Sequence, residues 1–171
     1  MSGGFIIEPL RAHERSSFHC GAEALDLYLR ERASQDVKRM LANCFVLVET
    51  ATSVVAGFYT LSASSVPAGD VPTEILKRLP RYPVLPAALM GRLAIDRRFQ
   101  RRGLAAALLA DAAKRVLIGD MMSYGLIVEA KDENAVAFYR LQGFIPFASR
   151  LMSLFLPLET FKKGATQLSR D

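Results

Sequence analysis

Six residues, Gln100 to Ala105 (QRRGLA), have the types and spacing needed to hold an anion. Gly103 lacks a Cβ, so backbone can approach a pyrophosphate closely, and Ala105 keeps the next position small. The N–H groups that open a helix have no intrahelical partner and sit at the positive end of its dipole, where an anion is stabilised. Arg101 and Arg102 add fork-shaped donors to the same place. The spacing by itself fits an ordinary strand-to-helix connection with solvated arginines equally well. Charge extends the pattern. Lys77 to Arg102 holds eight of the 22 basic residues (77, 78, 81, 92, 97, 98, 101, 102) and one of the 17 acids, Asp96, a local +7 in a chain of net +5. The remainder is therefore −2. Phosphates of one small ligand would use two or three of these cations, which leaves enough for a second polyanion such as nucleic acid.

The elements that must position these residues are legible from apolar periodicity. ALMGRLAI (residues 88–95) has the content of a buried strand, and Leu104, Leu108, Ala112 and Val116 recur down one helical face, so the basic turn lies between strand and helix. Upstream, residues 5–10 read as a strand ended near Pro9. Ala22, Leu25, Leu29 and Ala33 mark an amphipathic helix after Gly21, with Asp26 and Glu31 on its solvated side. His13 and His19 lack partners at metal-ligand spacing and read as loop residues. Residues 44–49 and 54–62 form a hairpin around TATS. Five of the eight prolines fall between Val66 and Pro86 and make a semi-rigid connection with a short helix at TEILKRL. A strand over residues 124–130, a helix over 134–141 stopped at Gly143, and strands at 144–147 and 151–156 complete the order. That alternation predicts an α/β fold with a mixed sheet.

Composition sets bounds. With 171 residues, 51% hydrophobic and 23% charged, the chain is a globular domain and neither disordered nor repetitive. Cys20 and Cys44 form no framework or metal-type pair, which favours a reducing compartment. MSGGFIIEPL lacks the pattern of an export signal, and no apolar run is long enough to span a bilayer, so a cytoplasmic protein is expected.

Gln100-x-x-Gly103-x-Ala105 resembles the acetyl-coenzyme A signature of the GNAT acetyltransferases, Gln/Arg-x-x-Gly-x-Gly/Ala. The resemblance implies the GNAT acyltransferase fold, an α/β domain with a mixed central sheet flanked by helices; length favours one domain over residues 1–171, and the polar KKGATQLSRD reads as a flexible tail from about 162. The resemblance also implies that the backbone of Leu93, Ala94 and Ile95 pairs with the pantetheine arm, and that Gln100, Arg101, Arg102, Gly103, Leu104 and Ala105 hold the pyrophosphate. No metal is implied. Ala135-x-x-Phe138-Tyr139-x-x-x-Gly143-Phe144 resembles a second family element whose tyrosine lies near the coenzyme sulfur. Acyl transfer to an amine needs a proton for the leaving thiolate, and Tyr139 is thereby singled out among five tyrosines as its source. On helical periodicity alone it is an ordinary half-buried residue. Many members place Asn three residues before Ala135. This chain has Asp132 there, so the pantetheine contact falls to Asp132 or Asn134.

Phe18-x-Cys20-Gly21-x-x-x-Leu25-Asp26-x-Tyr28-Leu29-x-x-x-Ala33 is similar to one branch of that family, the tRNA-acetylating toxins of bacterial toxin-antitoxin pairs, as are residues 57–65 (GFYTLSASS) and Leu79-Pro80-Arg81-Tyr82-Pro83. This implies acetylation of the α-amino group of aminoacyl-tRNA, a block in translation, a ribbon-helix-helix antitoxin partner and a homodimer. Lys38, Arg39, Lys77, Arg78, Arg81 and Arg92 are the candidate tRNA contacts. An acetyltransferase of small amines or protein lysine, and a catalytically silent regulator with the same fold, remain as alternatives.

Overall fold

The computed structural model describes residues 4–159; the polar tail expected from about 162 lies outside them. In chain order the elements are β1 (Phe5–Pro9), α1 (Glu23–Leu27), a π-helical turn (Tyr28–Arg32), α2 (Ala33–Lys38), β2 (Asn43–Glu49), β3 (Val55–Pro67), α3 (Thr73–Leu76), β4 (Val84–Met90), β5 (Leu93–Ile95), α4 (Leu104–Ile118), β6 (Gly125–Glu129), α5 (Glu133–Leu141), β7 (Ile145–Pro146) and β8 (Ser153–Pro157). The strands hydrogen-bond in the order β1-β2-β3-β4-β6-β8-β7, with β5 paired to β3. This is a mixed sheet flanked by helices, the expected α/β class.

The chain forms two compact units. The first comprises residues up to Ser62 together with Met90–Ala112. Its strands are antiparallel neighbours: Phe5 faces Glu49, Phe45 faces Tyr59, and Phe58 faces Ala94. Side chains from β2, β3 and the N-terminal helices interdigitate around Phe18, Leu29, Val46 and Phe58, which are almost wholly removed from water. Burial of that apolar area, at about 25 cal/mol per Å², is the main source of its stability. The second unit comprises Ala63–Leu89 and the residues from Ala113 on. There β6 runs antiparallel to β8, with Ile127 opposite Phe155, and Val66, Leu85, Ile127, Phe147 and Phe155 form the core.

Several expectations need correction. The helix expected to run unbroken from Gly21 to Ala33 widens in the middle, where the Ala33 N–H donates to the carbonyl of Tyr28, five residues back. Tyr28, Leu29 and Ala33, which bound this widened turn, are all buried in the core. Asp26 is not on a solvated face; it is 1% exposed. The single strand expected over residues 88–95 breaks after Met90, and its continuation β5 pairs with β3. β3 itself continues past Ser62 to Pro67, and the strand expected at 144–147 shortens to Ile145–Pro146.

Candidate functional site

The basic turn is built entirely in the first unit. β5 lies so close to β3 that a Cβ on Gly57 would meet Ile95 Cδ1 at 2.7 Å and the Ala94 carbonyl oxygen at 2.9 Å. Glycine at that position is thus a condition for β5 to be where it is. After β5 the chain makes a tight turn over Arg97–Phe99, capped by Asp96. The Asp96 carboxylate accepts from the N–H of Arg98 (2.9 Å), from Arg98 Nε and Nη2 (2.9 and 3.0 Å) and from the N–H of His19 (3.0 Å). Burial alone would raise its pKa, but these donors outweigh burial and hold the carboxyl below the usual range.

A second buried carboxylate works the same way. Asp26 accepts from the N–H of Cys20 at 2.8 Å, and His19 Nδ1 lies 3.1 Å from its other oxygen. Again desolvation raises the pKa and the bonds from Cys20 and His19 bring it down further. His19 is therefore paired rather than a free loop residue, and His13 likewise sits 2.7 Å from Glu8. The segment around His19 and Cys20 locks onto the turn: Arg97 N–H donates to the His19 carbonyl at 2.9 Å, and Gln100 Nε2 donates to the carbonyls of Cys20 and Ile95, both at 2.9 Å. The Gln100 side chain thus shapes the turn from within. Burial pushes the Cys20 thiol up to about 11 and the Cys44 thiol up to about 12, so neither is a ready nucleophile.

With the turn clamped from behind, its front is backbone. Arg101 (φ +63°) and Gly103 (φ +75°) are both left-handed, a conformation in which successive N–H groups converge into an anion-binding concavity. A Cβ on Gly103 would find nothing within 4 Å. That open space, the helix start at Leu104 and the lack of any acid in the first turn of α4 fit a pyrophosphate. Leu104 and Ala105 contribute N–H groups that precede the first intrahelical bond, from Ala107 to Gly103. Arg101 and Arg102 are exposed, the latter with its guanidinium 5.3 Å from the Phe5 ring and 5.8 Å from Phe99. The Tyr59 hydroxyl donates to Asp111 at 2.5 Å, which fastens α4 to β3.

Tyr139 belongs to the second unit. Asp132 caps α5 by accepting from the Ala135 N–H at 2.8 Å, and Gly143 (φ +96°) ends the helix so that the Phe144 N–H reaches the Tyr139 carbonyl at 3.1 Å. The ring packs against Phe138 and Phe144 at centroid separations of 5.3 and 5.5 Å and is 7% exposed. Its hydroxyl has no hydrogen-bond partner among the described residues, yet it is not sealed from solvent. Burial pushes the phenol up to about 12, so it keeps its proton throughout the neutral range. Tyr28 and Tyr59, by contrast, donate their hydroxyls to Asp36 and Asp111.

The structure distributes the six candidate tRNA cations. Lys38 and Arg39 are exposed at the end of α2, and Lys77, Arg78 and Arg81 are exposed in the proline-rich segment. Arg92 differs: its guanidinium lies 3.5 Å from the centroid of the Tyr28 ring. Among the described residues no group of three or more His, Cys, Asp or Glu side chains could hold a metal ion, and no helix is long and apolar enough to cross a membrane. The structural roles of Asp26, Asp96 and Gly57 are what sequence reasoning missed, although Asp26 and Gly57 stand in the toxin-like patterns and Asp96 sits as a capping residue just before the Arg97–Phe99 turn.

A mixed α/β sheet whose strand runs into a clamped, left-handed, acid-free turn at a helix start fits the phosphate-bearing end of a coenzyme such as coenzyme A. Residues 87–154 match the acetyltransferase (GNAT) domain family. A tRNA-acetylating toxin of Mycobacterium tuberculosis is 38% identical over 130 residues, covering 75% of this chain and 76% of that protein. Among solved structures, AtaT complexed with acetyl-methionyl-tRNAfMet superposes with a TM-score of 0.84 at 30% identity, covering 93% of this chain and 98% of that one. A mutant AtaT toxin bound to the C-terminus of the antitoxin AtaR and to acetyl-CoA superposes with a TM-score of 0.77 at 29% identity, covering 95% and 98%. The chain belongs to the GNAT acetyltransferases, in the branch that holds these toxins.

Proposed function

We propose that this chain acts as a single-domain toxin that moves the acetyl group of acetyl-CoA onto the α-amino group of an aminoacyl-tRNA, and so removes that tRNA from translation. The observation that carries the reading is the clamped turn at Gln100–Ala105, with open space over Gly103, in a chain so similar to toxins that acetylate tRNA. The turn amides and Arg101 and Arg102 bind the pyrophosphate, and the backbone of Leu93, Ala94 and Ile95 aligns the pantetheine arm. Asp132 is engaged as a helix cap, so the exposed Asn134 is the residue left for the pantetheine contact.

In the reaction the amine nitrogen attacks the thioester carbonyl carbon, the C–S bond breaks and the amine loses a proton. Tyr139 donates its phenolic proton to the leaving thiolate, and the proton lost by the amine restores it. An α-amino group titrates near pH 8, and the adjacent ester lowers it, so the acceptor is already neutral at physiological pH without a dedicated base. The toxin is cytoplasmic, forms a homodimer, and is neutralised by a ribbon-helix-helix antitoxin, as the resemblance of its sequence to this branch implies. Lys38, Arg39, Lys77, Arg78 and Arg81 contact tRNA phosphates, and Arg92, stacked on Tyr28, is a secondary contact.

Acetylation of charged tRNA across a salt series tests the whole proposal. Each neutralised phosphate contributes a log-log slope of about −0.7 on single strands, so affinity falls steeply with salt. Replacing Lys77 and Arg78 together by alanine flattens the slope and leaves coenzyme affinity intact. Salt-independent turnover, or equal efficiency on free amines, sinks the tRNA reading in favour of a small-amine acetyltransferase.

A further inference from the structure

The Leu79-Pro80-Arg81-Tyr82-Pro83 stretch, of which only Arg81 enters the contacts above, walls a cavity of about 710 Å³ within the second unit. Pockets that hold a nucleotide-sized group run from ~300 to ~1,000 Å³, so the volume is adequate. The remaining wall is Ala68, the Thr73 and Leu76 side of α3, and Lys77. Hydrogen bonds stiffen this frame: Tyr82 N–H donates to the Pro80 carbonyl at 2.9 Å, Ala68 N–H to the Pro83 carbonyl at 3.0 Å, and Leu79 N–H to the Leu76 carbonyl at 3.0 Å. Two prolines fix φ in the same segment.

Three properties of the lining specify a ligand. Tyr82 is 61% exposed, and its backbone lies in a turn between Pro80 and Pro83. Lys77 and Arg81 are exposed and make no ion pair among the described residues. No acidic side chain lines the cavity. An accessible ring beside two unpaired cations, with apolar proline and leucine surface behind, is the combination that binds unpaired nucleotides: the base stacks on the ring and its phosphates meet the cations. An acidic peptide would use the cations but leave the ring without a flat partner.

We propose that this cavity receives an unpaired nucleotide of the tRNA acceptor end, with its base on Tyr82 and its phosphates at Lys77 and Arg81. The proposal rests on the tRNA reading and deepens it by naming where the single-stranded end is gripped. Binding and turnover separate the two claims. The probe is the trinucleotide CCA, titrated against the full chain by calorimetry, with charged-tRNA acetylation measured in parallel. Tyr82→Ala is expected to weaken CCA binding about 10-fold or more and to raise the KM for charged tRNA by a similar factor, while affinity for acetyl-CoA and the unfolding temperature stay as in the parent. Tyr82→Trp, which keeps a stacking face, restores both. Lys77→Ala with Arg81→Ala lowers CCA affinity and its salt dependence together.

Undiminished CCA binding in Tyr82→Ala overturns the proposal. So does binding of an oligoglutamate peptide, but not CCA, that is lost in the Lys77→Ala, Arg81→Ala variant, since that result assigns the cavity to an acidic protein segment. A parent that binds CCA here yet acetylates no charged tRNA supports the cavity assignment and defeats the functional reading instead.

Discussion

The coenzyme turn and the tyrosine helix are held by opposite kinds of force. Around Gln100–Gly103 the structure is polar: two buried carboxylates, Asp26 and Asp96, and one side-chain amide tie two loops together through backbone groups. Around Tyr139 it is aromatic, with Phe138 and Phe144 against the ring and no partner for the hydroxyl among the described residues. The difference follows from the chemistry each must do. An anion is held by N–H groups, which must be aimed, and aiming loop backbone requires hydrogen bonds on its other side. A proton donor has to remain protonated until the thiolate forms, and dry packing does that by penalising the phenolate.

The comparison can be broken most severely at Gly103. Gly103→Glu places a carboxylate in the open space intended for phosphate and forces a side chain onto φ +75°, so acetyl-CoA binding should be abolished while the fold persists. Undiminished affinity by calorimetry would remove the anion site from this turn.

Tyr139→Phe keeps the aromatic packing and deletes only the hydroxyl. Single-turnover transfer should fall ~10²- to 10⁴-fold with coenzyme affinity unchanged. Because burial pushes the phenol up to about 12, the parent's rate should rise as the acceptor amine deprotonates near pH 7 to 8 and then stay level past pH 10. A rise that continued to about pH 10.4 would indicate a lysine acceptor. Parent-like rates in Tyr139→Phe at every pH would make it a packing residue.

The polar half should also be the acid-sensitive one. Asp26 and Asp96 have folded pKa values held below the unfolded value of about 3.9, so their contribution is present above that pH and is lost as pH falls through the folded value. Asp26→Ala leaves the Cys20 N–H without its acceptor and should destabilise the chain by about 1–3 kcal/mol at neutral pH. Thermal unfolding followed from pH 7 to pH 3 should show that gap narrowing; a constant gap would mean Asp26 acts through packing alone.

The mildest probe is the cap of the tyrosine helix. Asp132→Ala removes the acceptor of the Ala135 N–H and should lower stability by about 1 kcal/mol, with coenzyme affinity nearly unchanged. A large loss of acetyl-CoA binding in this variant would return the pantetheine contact to Asp132.

The order of elements, the strand-turn-helix around Gly103 and the end of α5 at Gly143 were legible in the sequence because each depends on local rules: apolar period, glycine at positive φ, a cap residue before a helix. The family resemblance rests on the same short motifs. The burial of Asp26 was not legible, since a carboxylate on a helix reads as solvated until another loop, here His19 and Cys20, covers it. Nor was Gly57, whose need for no side chain arises only when β5 lies against β3, nor the break after Met90, which depends on a change of strand partner. Arg92 and Tyr82 make the same point from the surface. Both sit in the basic Lys77–Arg102 segment, where sequence shows the charge and the Leu79–Pro83 pattern but not the packing that lays Arg92 on Tyr28 and leaves Tyr82 open at a cavity.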